Sequence, residues 1–325
     1  MNKPVLYIVV PCYNEEDVLP ETARRLRAKM DGLLSAGKVS EDSRVLFVDD
    51  GSKDRTWELI EGYHAADPVF SGVKLSRNRG HQNALLAGLM TAKDRCDAAV
   101  SMDADLQDDI DAIDGMVDAF LDGCDVVYGV RSARDTDTFF KKFTAEGFYK
   151  FMEAMGAEVV FNHADYRLMS KRALETLSEF KEVNLFLRGL VPMLGYRTAT
   201  VEYERGERFA GESKYPLKKM LAFALDGITS LSDRPIQGIL ALGLLTTAGG
   251  LIAIPAARLR YVRSGKEDET SLLLSNLWAV SGLILTSVGI VGDYTGKIYL
   301  ETKHRPRYVI EEILDNRKGN ADSCR

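Results

Sequence analysis

From 5 to 129 the chain alternates between short aliphatic runs and longer amphipathic stretches. The runs at 5–10, 44–48, 69–75, 98–102 and 125–129 predict strands covered on both faces, as in a parallel sheet. Between them, 15–30, 56–66, 82–92 and 109–121 predict helices, the first with acids at its start and basic residues later. Repeated βα units imply an α/β fold, an open and mostly parallel sheet with helices on both faces. Ligands of such sheets bind beyond the carboxyl ends of the strands. Polar clusters fall at those ends: 11–15, 49–54, 76–81, 103–108 and Arg131-Ser132. Farther along, 139–155 predicts a helix and 196–203 a strand. The segment 217–231 carries apolar residues at i, i+3 and i+4 beside Lys218 and Lys219. That stripe suits a helix lying on a membrane surface or one docked on the domain, and the apolar run that follows favours the membrane.

Composition changes this picture in one place. At 28% charged and 46% hydrophobic the 325-residue chain has the averages of a soluble protein, and a net charge of −6 excludes a broadly basic nucleic-acid binder. The charges are unevenly placed, however. Neither 235–257 nor 270–292 contains Asp, Glu, Lys or Arg. As a helix each run spans about 35 Å, enough for a hydrocarbon core of roughly 30 Å, so a two-helix transmembrane hairpin is expected. Its connector holds Arg258, Arg260, Arg263, Lys266, Glu267, Asp268 and Glu269. Basic residues on the other flanks (Lys218, Lys219, Arg234, Lys297, Lys303, Arg305, Arg307) outnumber those in the connector, which favours a cytoplasmic main domain and tail. The expected organisation is a cytoplasmic catalytic domain over 1–212, a juxtamembrane interfacial region over 213–234, the hairpin over 235–292 and a cytoplasmic tail over 293–325. Cys12, Cys96, Cys124 and Cys324 form no CxxC pair, as expected of reduced thiols in a cytosolic compartment. The N-terminal apolar run is too short for a signal-peptide core, so an uncleaved, cytosolic N-terminal domain is expected.

Three clusters carry chemistry. In an extended segment Asp103, Asp105 and Gln107 share one side, and such an all-oxygen set suits Mg²⁺ or Mn²⁺ bridging to substrate phosphates. Asp49 and Asp50 at a strand end can accept hydrogen bonds from a base or ribose, with Gly51 allowing a close turn. Taken alone, that stretch reads equally as a solvated turn with Asp54 capping the next helix. Arg77 to Gly80 forms a basic loop that can reach a diphosphate, and His81 beside it reads as a surface or structural histidine.

Taken in order, VVPCYNEE at 9–16, VDDGSKDRT at 48–56, RNRGHQNALLAG at 77–88 and MDADLQDD at 102–109 resemble the family 2 glycosyltransferases. VYGVRS at 127–132, DYRLMSKRAL at 165–174 and RFAGESKYPLKKM at 208–220 resemble the polyisoprenyl-phosphate subgroup, which includes dolichol-phosphate mannose synthases and bactoprenol-phosphate glucosyltransferases. The resemblance implies a GT-A nucleotide-binding domain. It implies a nucleotide pocket at Pro11, Tyr13, Glu15, Asp49 and Asp50, with the Arg77 and Gly80 loop beside it. It places Asp103 at the ribose or metal, Asp105 and Gln107 as metal ligands, and Arg131 and Ser132 at the acceptor phosphate. Arg208 and Lys214 match the basic residues of an RxxGxSK segment. Asp165 matches an acid sometimes proposed as catalytic base, and is read here as orienting Arg167 or the acceptor. Asp105, Asp165 and Arg131 are thus the residues expected at the reaction.

The activity so implied is inverting transfer of a hexose from a nucleotide sugar, UDP-glucose or similar, to polyprenyl phosphate at the cytoplasmic membrane face, in cell-envelope glycan biosynthesis. A phosphate monoester is largely dianionic at neutral pH and attacks without a strong base. The cofactor expected is Mg²⁺ or Mn²⁺. The partners expected are a UDP- or GDP-linked donor, undecaprenyl or dolichyl phosphate, membrane lipids and a homo-oligomeric copy, with no nucleic acid. Two other readings stay open: a processive polysaccharide synthase, although neither Trp57 nor Trp278 sits in a QxxRW motif, and a nucleotide-binding membrane scaffold.

Overall fold

The computed structural model describes residues 3–132, 163–183, 185–204, the scattered positions 236, 237, 239, 241 and 245, and 269–315. The chain divides into two units. One comprises Met1–Tyr149, Glu158–Pro216 and Pro306–Arg325, the other Lys150–Ala157 and Leu217–Arg305.

The first unit is built on eight strands: β1 (Leu6–Cys12), β2 (Arg44–Asp49), β3 (Phe70–Leu75), β4 (Ala98–Ser101), β5 (Val126–Arg131), β6 (His163–Ser170), β7 (Thr198–Tyr203) and β8 (Ile310–Leu314). They form one sheet in the order β7-β5-β6-β4-β1-β2-β3-β8. The five aliphatic runs all become strands, and their near-complete burial is why they lack polar alternation. β1 to β4 are mutually parallel where they pair, as the repeated βα units require. β6 and β8 run antiparallel to their neighbours. Neither was predicted. β6 has no aliphatic run of its own, because it carries Asp165 and Arg167 into the sheet.

Helices α1 (Leu19–Ser35), α2 (Thr56–Ala66) and α4 (Ala112–Leu121) cover one face, and α3 (His81–Lys93), α5 (Lys171–Glu179) and α6 (Leu187–Met193) the other. α1 begins four residues later than its acids suggested, since Pro20 sits in its first turn and suits a helix start. It buries Leu19, Ala23, Leu26, Met30 and Leu33 as one stripe. α3 seats deepest: a Cβ on Gly88 would come within 2.4 Å of Val9 Cγ1 and 2.6 Å of Val48 Cγ2. This glycine lets the helix lie close on β1 and β2, which fixes its N-terminus at their carboxyl ends.

The segment expected as a tail contains β8, which closes the β3 edge. Ser76 N donates to Val309 O at 3.0 Å, and Arg95 pairs with Asp315 at 2.5 Å. The predicted helices 139–155 and 217–231 lie outside the described residues.

In the second unit the described structure is chiefly α7 (Glu269–Thr302). Here the expected transmembrane hairpin is corrected. Among the described residues no helix is long and apolar enough to cross a membrane. The first run, 235–257, lies outside the described residues apart from scattered positions. The second forms the front of α7, which continues without a break through Asp293, Lys297 and Glu301, with an Asp293–Lys297 pair at 3.9 Å. A run without charge in the sequence is a weaker condition than a continuously apolar helix.

Candidate active site

The parallel strands β1 to β4 end along one edge, so the loops after them meet there. Cys12 of β1 lies opposite Asp49 of β2, and its carbonyl accepts from Asp50 N at 2.9 Å. The 13–16 loop is then laced to the 52–56 loop. Asn14, in the left-handed region at φ 52°, donates its N–H to Ser52 Oγ at 3.0 Å and accepts from Lys53 N at 2.8 Å. Glu15 N donates to Thr56 Oγ1 at 2.9 Å. Pro11 lies within β1, and Tyr13 projects beyond its end, 37% exposed. An aromatic ring there is placed to stack on a flat ligand.

Asp49 and Asp50 are both buried. Asp49 accepts from Ser52 N, while Asp50 accepts from Arg79 N at 2.7 Å and Gly80 N at 2.9 Å. Burial raises both carboxyls above their usual range, against these hydrogen bonds. Gly51 is required twice over. Its φ is +67°, and a Cβ would stand 2.6 Å from the Arg77 carbonyl carbon. The Arg77–Gly80 loop is therefore pressed onto the Asp49–Ser52 turn, with the Arg77 side chain exposed.

A second cluster lies between β4, β6, α3 and α6. Asp165 is 6% exposed. It accepts from Arg167 Nη2 at 2.6 Å and from Arg188 Nη2 at 3.1 Å, and His81 Nε2 stands 3.7 Å away. Burial alone would raise its pKa, but His81, Arg188 and Arg167 hold it well below the usual carboxylate range. His81 Nε2 also stands 3.5 Å from Asp103. The His81 side chain is 40% exposed, and its partial desolvation lowers its pKa, yet Asp103 and then Asp165 carry it up to about 9. Asp103 is raised to about 6 by burial and by Asp108, Asp165 and Asp105, with His81 opposing. Arg188 and the bridging place of His81 had no local signal in the sequence, since the partners lie on other elements.

The DxD segment differs from expectation. It is a turn, not an extended strand: Leu106 has φ 57°, and Gln107 N donates to Asp105 Oδ1 at 3.2 Å. Asp103, Asp105 and Gln107 therefore do not share a face by strand alternation. Among the described residues no three His, Cys, Asp or Glu side chains come together as a metal cluster. One carboxylate and one amide oxygen on a partly buried turn, as at Asp105 and Gln107, still fit a cation that takes its remaining oxygens from substrate phosphates.

At the far side Arg131, 27% exposed, donates from Nε to Tyr203 Oη at 3.2 Å and from Nη2 to Asp108 Oδ1 at 3.4 Å. Ser132 beside it donates its N–H and its hydroxyl to Tyr203 O. Arg208 and Lys214 lie outside the described residues.

A family model described as glycosyl transferase family 2 matches residues 7–178. An uncharacterized glycosyltransferase of Bacillus subtilis, YkoT, is 50% identical over 97% of this chain and 94% of its own. The bactoprenol glucosyl transferase of Shigella phage SfV is 36% identical over 94% of this chain and 97% of its own. Among solved structures, a Pyrobaculum calidifontis mannosyltransferase in complex with GDP-Man and Mn²⁺ aligns at 18% identity and TM-score 0.42, over 92% of this chain and 86% of its own. A likeness that loose carries no chemistry across.

Proposed function

Since the chain belongs to glycosyl transferase family 2 and is a glycosyltransferase, we propose that it transfers a hexose, with UDP-glucose the favoured donor, to polyprenyl phosphate at the cytoplasmic face of a membrane. The observation that carries the acceptor class is the state of Asp165. The acid at the expected base position is buried, held by two guanidiniums and His81, and kept ionised far below neutrality. A group so committed does not take a proton from a sugar hydroxyl. A phosphate monoester needs no such help, being ionised already. The near full-length likeness to bactoprenol glucosyl transferases supports the same acceptor.

In this reading Pro11, Tyr13, Glu15, Asp49 and Asp50 form the nucleotide pocket, and the Arg77–Gly80 loop lies along the diphosphate. Arg131 and Ser132 bind the acceptor phosphate, with Arg208 and Lys214 adding positive charge. Asp165 positions Arg167 and Arg188. A phosphate oxygen attacks the anomeric carbon as the bond to the diphosphate breaks, and the nucleoside diphosphate departs with the electron pair. Direct displacement inverts the centre, so an α-linked donor gives a β-linked lipid phosphate. Asp105 and Gln107 would hold Mg²⁺ or Mn²⁺, which when bound neutralises charge on the leaving diphosphate. Asp103, tied to His81, faces the ribose.

The test is direct. Purified protein, undecaprenyl phosphate, Mg²⁺ or Mn²⁺ and a panel of labelled nucleotide sugars are combined, and the lipid product is read by mass. The expected product is undecaprenyl phosphate plus one hexose. UDP binding without a lipid product from any donor would favour a nucleotide-binding scaffold and sink the proposal.

A further inference from the structure

Arg131 ends β5 partly exposed, and two buried groups from other elements set its position from beneath. Tyr203 is its register partner on β7. Arginine has no acceptor and a carboxylate no donor, so the bonds run one way. Arg131 Nε donates to Tyr203 Oη, and Tyr203 Oη donates to Asp108 Oδ1. Arg131 Nη2 reaches that same oxygen at 3.4 Å, closing a triangle. Tyr203 and Asp108 are each 4% exposed. The other Asp108 oxygen, Oδ2, is buried with no hydrogen-bond partner. A buried carboxylate with one unmet oxygen is a costly way to fill space. The Tyr203 ring packs edge-on to Tyr166 at 5.2 Å, and the Tyr166 hydroxyl donates to Asp109 O at 2.8 Å. The loop that carries Asp105 and Gln107 is thus anchored, through Asp108 and Asp109, to the two tyrosines below Arg131.

We propose that Asp108 and Tyr203 are positioning residues that hold Arg131 aimed for the acceptor phosphate and tie its orientation to the loop after β4. This rests on the reading of Arg131 as an acceptor-phosphate ligand. A flexible side chain already held at two points has less rotamer freedom to lose when a phosphate arrives. Tyr203 and Asp108 bond to Arg131 from its buried side, so their effect on the acceptor phosphate runs through Arg131.

The experiment uses the full chain and two probes, undecaprenyl phosphate in detergent micelles and UDP, with binding measured separately for each. Tyr203→Phe removes one hydroxyl and keeps the ring packing. It is expected to weaken undecaprenyl phosphate binding roughly tenfold, as loss of a hydrogen bond to a charged group does, and to leave UDP binding within about twofold. Asp108→Asn should weaken the same probe. In an Arg131→Lys background Tyr203→Phe should add nothing, because the network is already broken. If Arg131→Lys weakens the lipid probe but Tyr203→Phe does not, the positioning role is wrong and the acceptor reading stands. If Arg131→Lys leaves the lipid probe unaffected, the acceptor reading fails and this inference with it. Equal weakening of both probes by Tyr203→Phe would mark a general structural defect and overturn the positioning role.

Discussion

At the scale of single residues the site is governed by charge compensation. Asp165 is the anchor: Arg167, 1% exposed, has its guanidinium against it, and Arg188 forks onto it from α6. Asp165→Asn leaves a buried cation short of its partner, so a stability loss of about 3–5 kcal/mol is expected by urea unfolding, together with loss of turnover. An unchanged urea midpoint would show that the acid is not an anchor. The depressed Asp165 pKa also has a sign. Its contribution is complete above the unfolded aspartate value of about 3.9 and is lost as pH falls through the lower folded value. His81 behaves oppositely. Its folded pKa of about 9 lies above the unfolded value, so its bridge to Asp103 and Asp165 stabilises fully below about 6.5 and fades as pH rises through 9. Melting curves of wild type and His81→Gln should therefore differ most near pH 6 and converge above pH 9, and a constant difference across that range would contradict the bridge. The sequence marked Asp103, Asp105 and Asp165 by motif, but not the partners that set their charge states. His81, Arg188, Asp108 and Tyr203 reach those acids and Arg131 across long separations.

At the scale of elements, aliphatic runs and strands agree closely because burial on both faces removes alternation. β6 and β8 escaped for the opposite reason: charged side chains interrupt each, Asp165 and Arg167 in β6 and Glu311 and Glu312 in β8, and only pairing makes them strands. α3 depends on one small residue. Gly88→Ala would drive a methyl into Val9 and Val48, so a loss of about 1–3 kcal/mol is expected in thermal or urea unfolding. Little or no loss would mean that the strands yield. β8 gives a second expectation. Its pairing covers the β3 edge, and Leu314 packs on the core beside Gly72. A chain ending at Arg305 should melt lower and aggregate, since an uncovered edge recruits other strands. An unchanged melting temperature and a monodisperse elution profile would show that β8 is dispensable.

At the scale of the molecule, a cation held by Asp105 and Gln107 would take its remaining oxygens from substrate phosphates, so metal is expected to serve transfer and not folding. EDTA is expected to abolish transfer and added Mg²⁺ or Mn²⁺ to restore it, while the melting temperature without nucleotide stays unchanged. A large drop in melting temperature on chelation would instead reveal a structural metal. The charge along the chain is uneven, and the chain divides into two units, the second containing α7. Among the described residues no helix is long and apolar enough to supply the hairpin expected from that unevenness, because a run free of charge is a weaker condition than a continuously apolar one.

The sequence by itself determined the alternating α/β core, the placing of polar loops at strand ends and the family whose motifs fill them. These depend on local burial and on residue type at short spacing, which a linear chain displays. Only the tertiary structure decided the antiparallel insertions, the turn at Asp105, the ionised and fully engaged state of Asp165, and the tether of Arg131. Those depend on which distant side chains share a buried volume. In that volume low polarity amplifies every charge, and partners can be chosen only after the chain has folded.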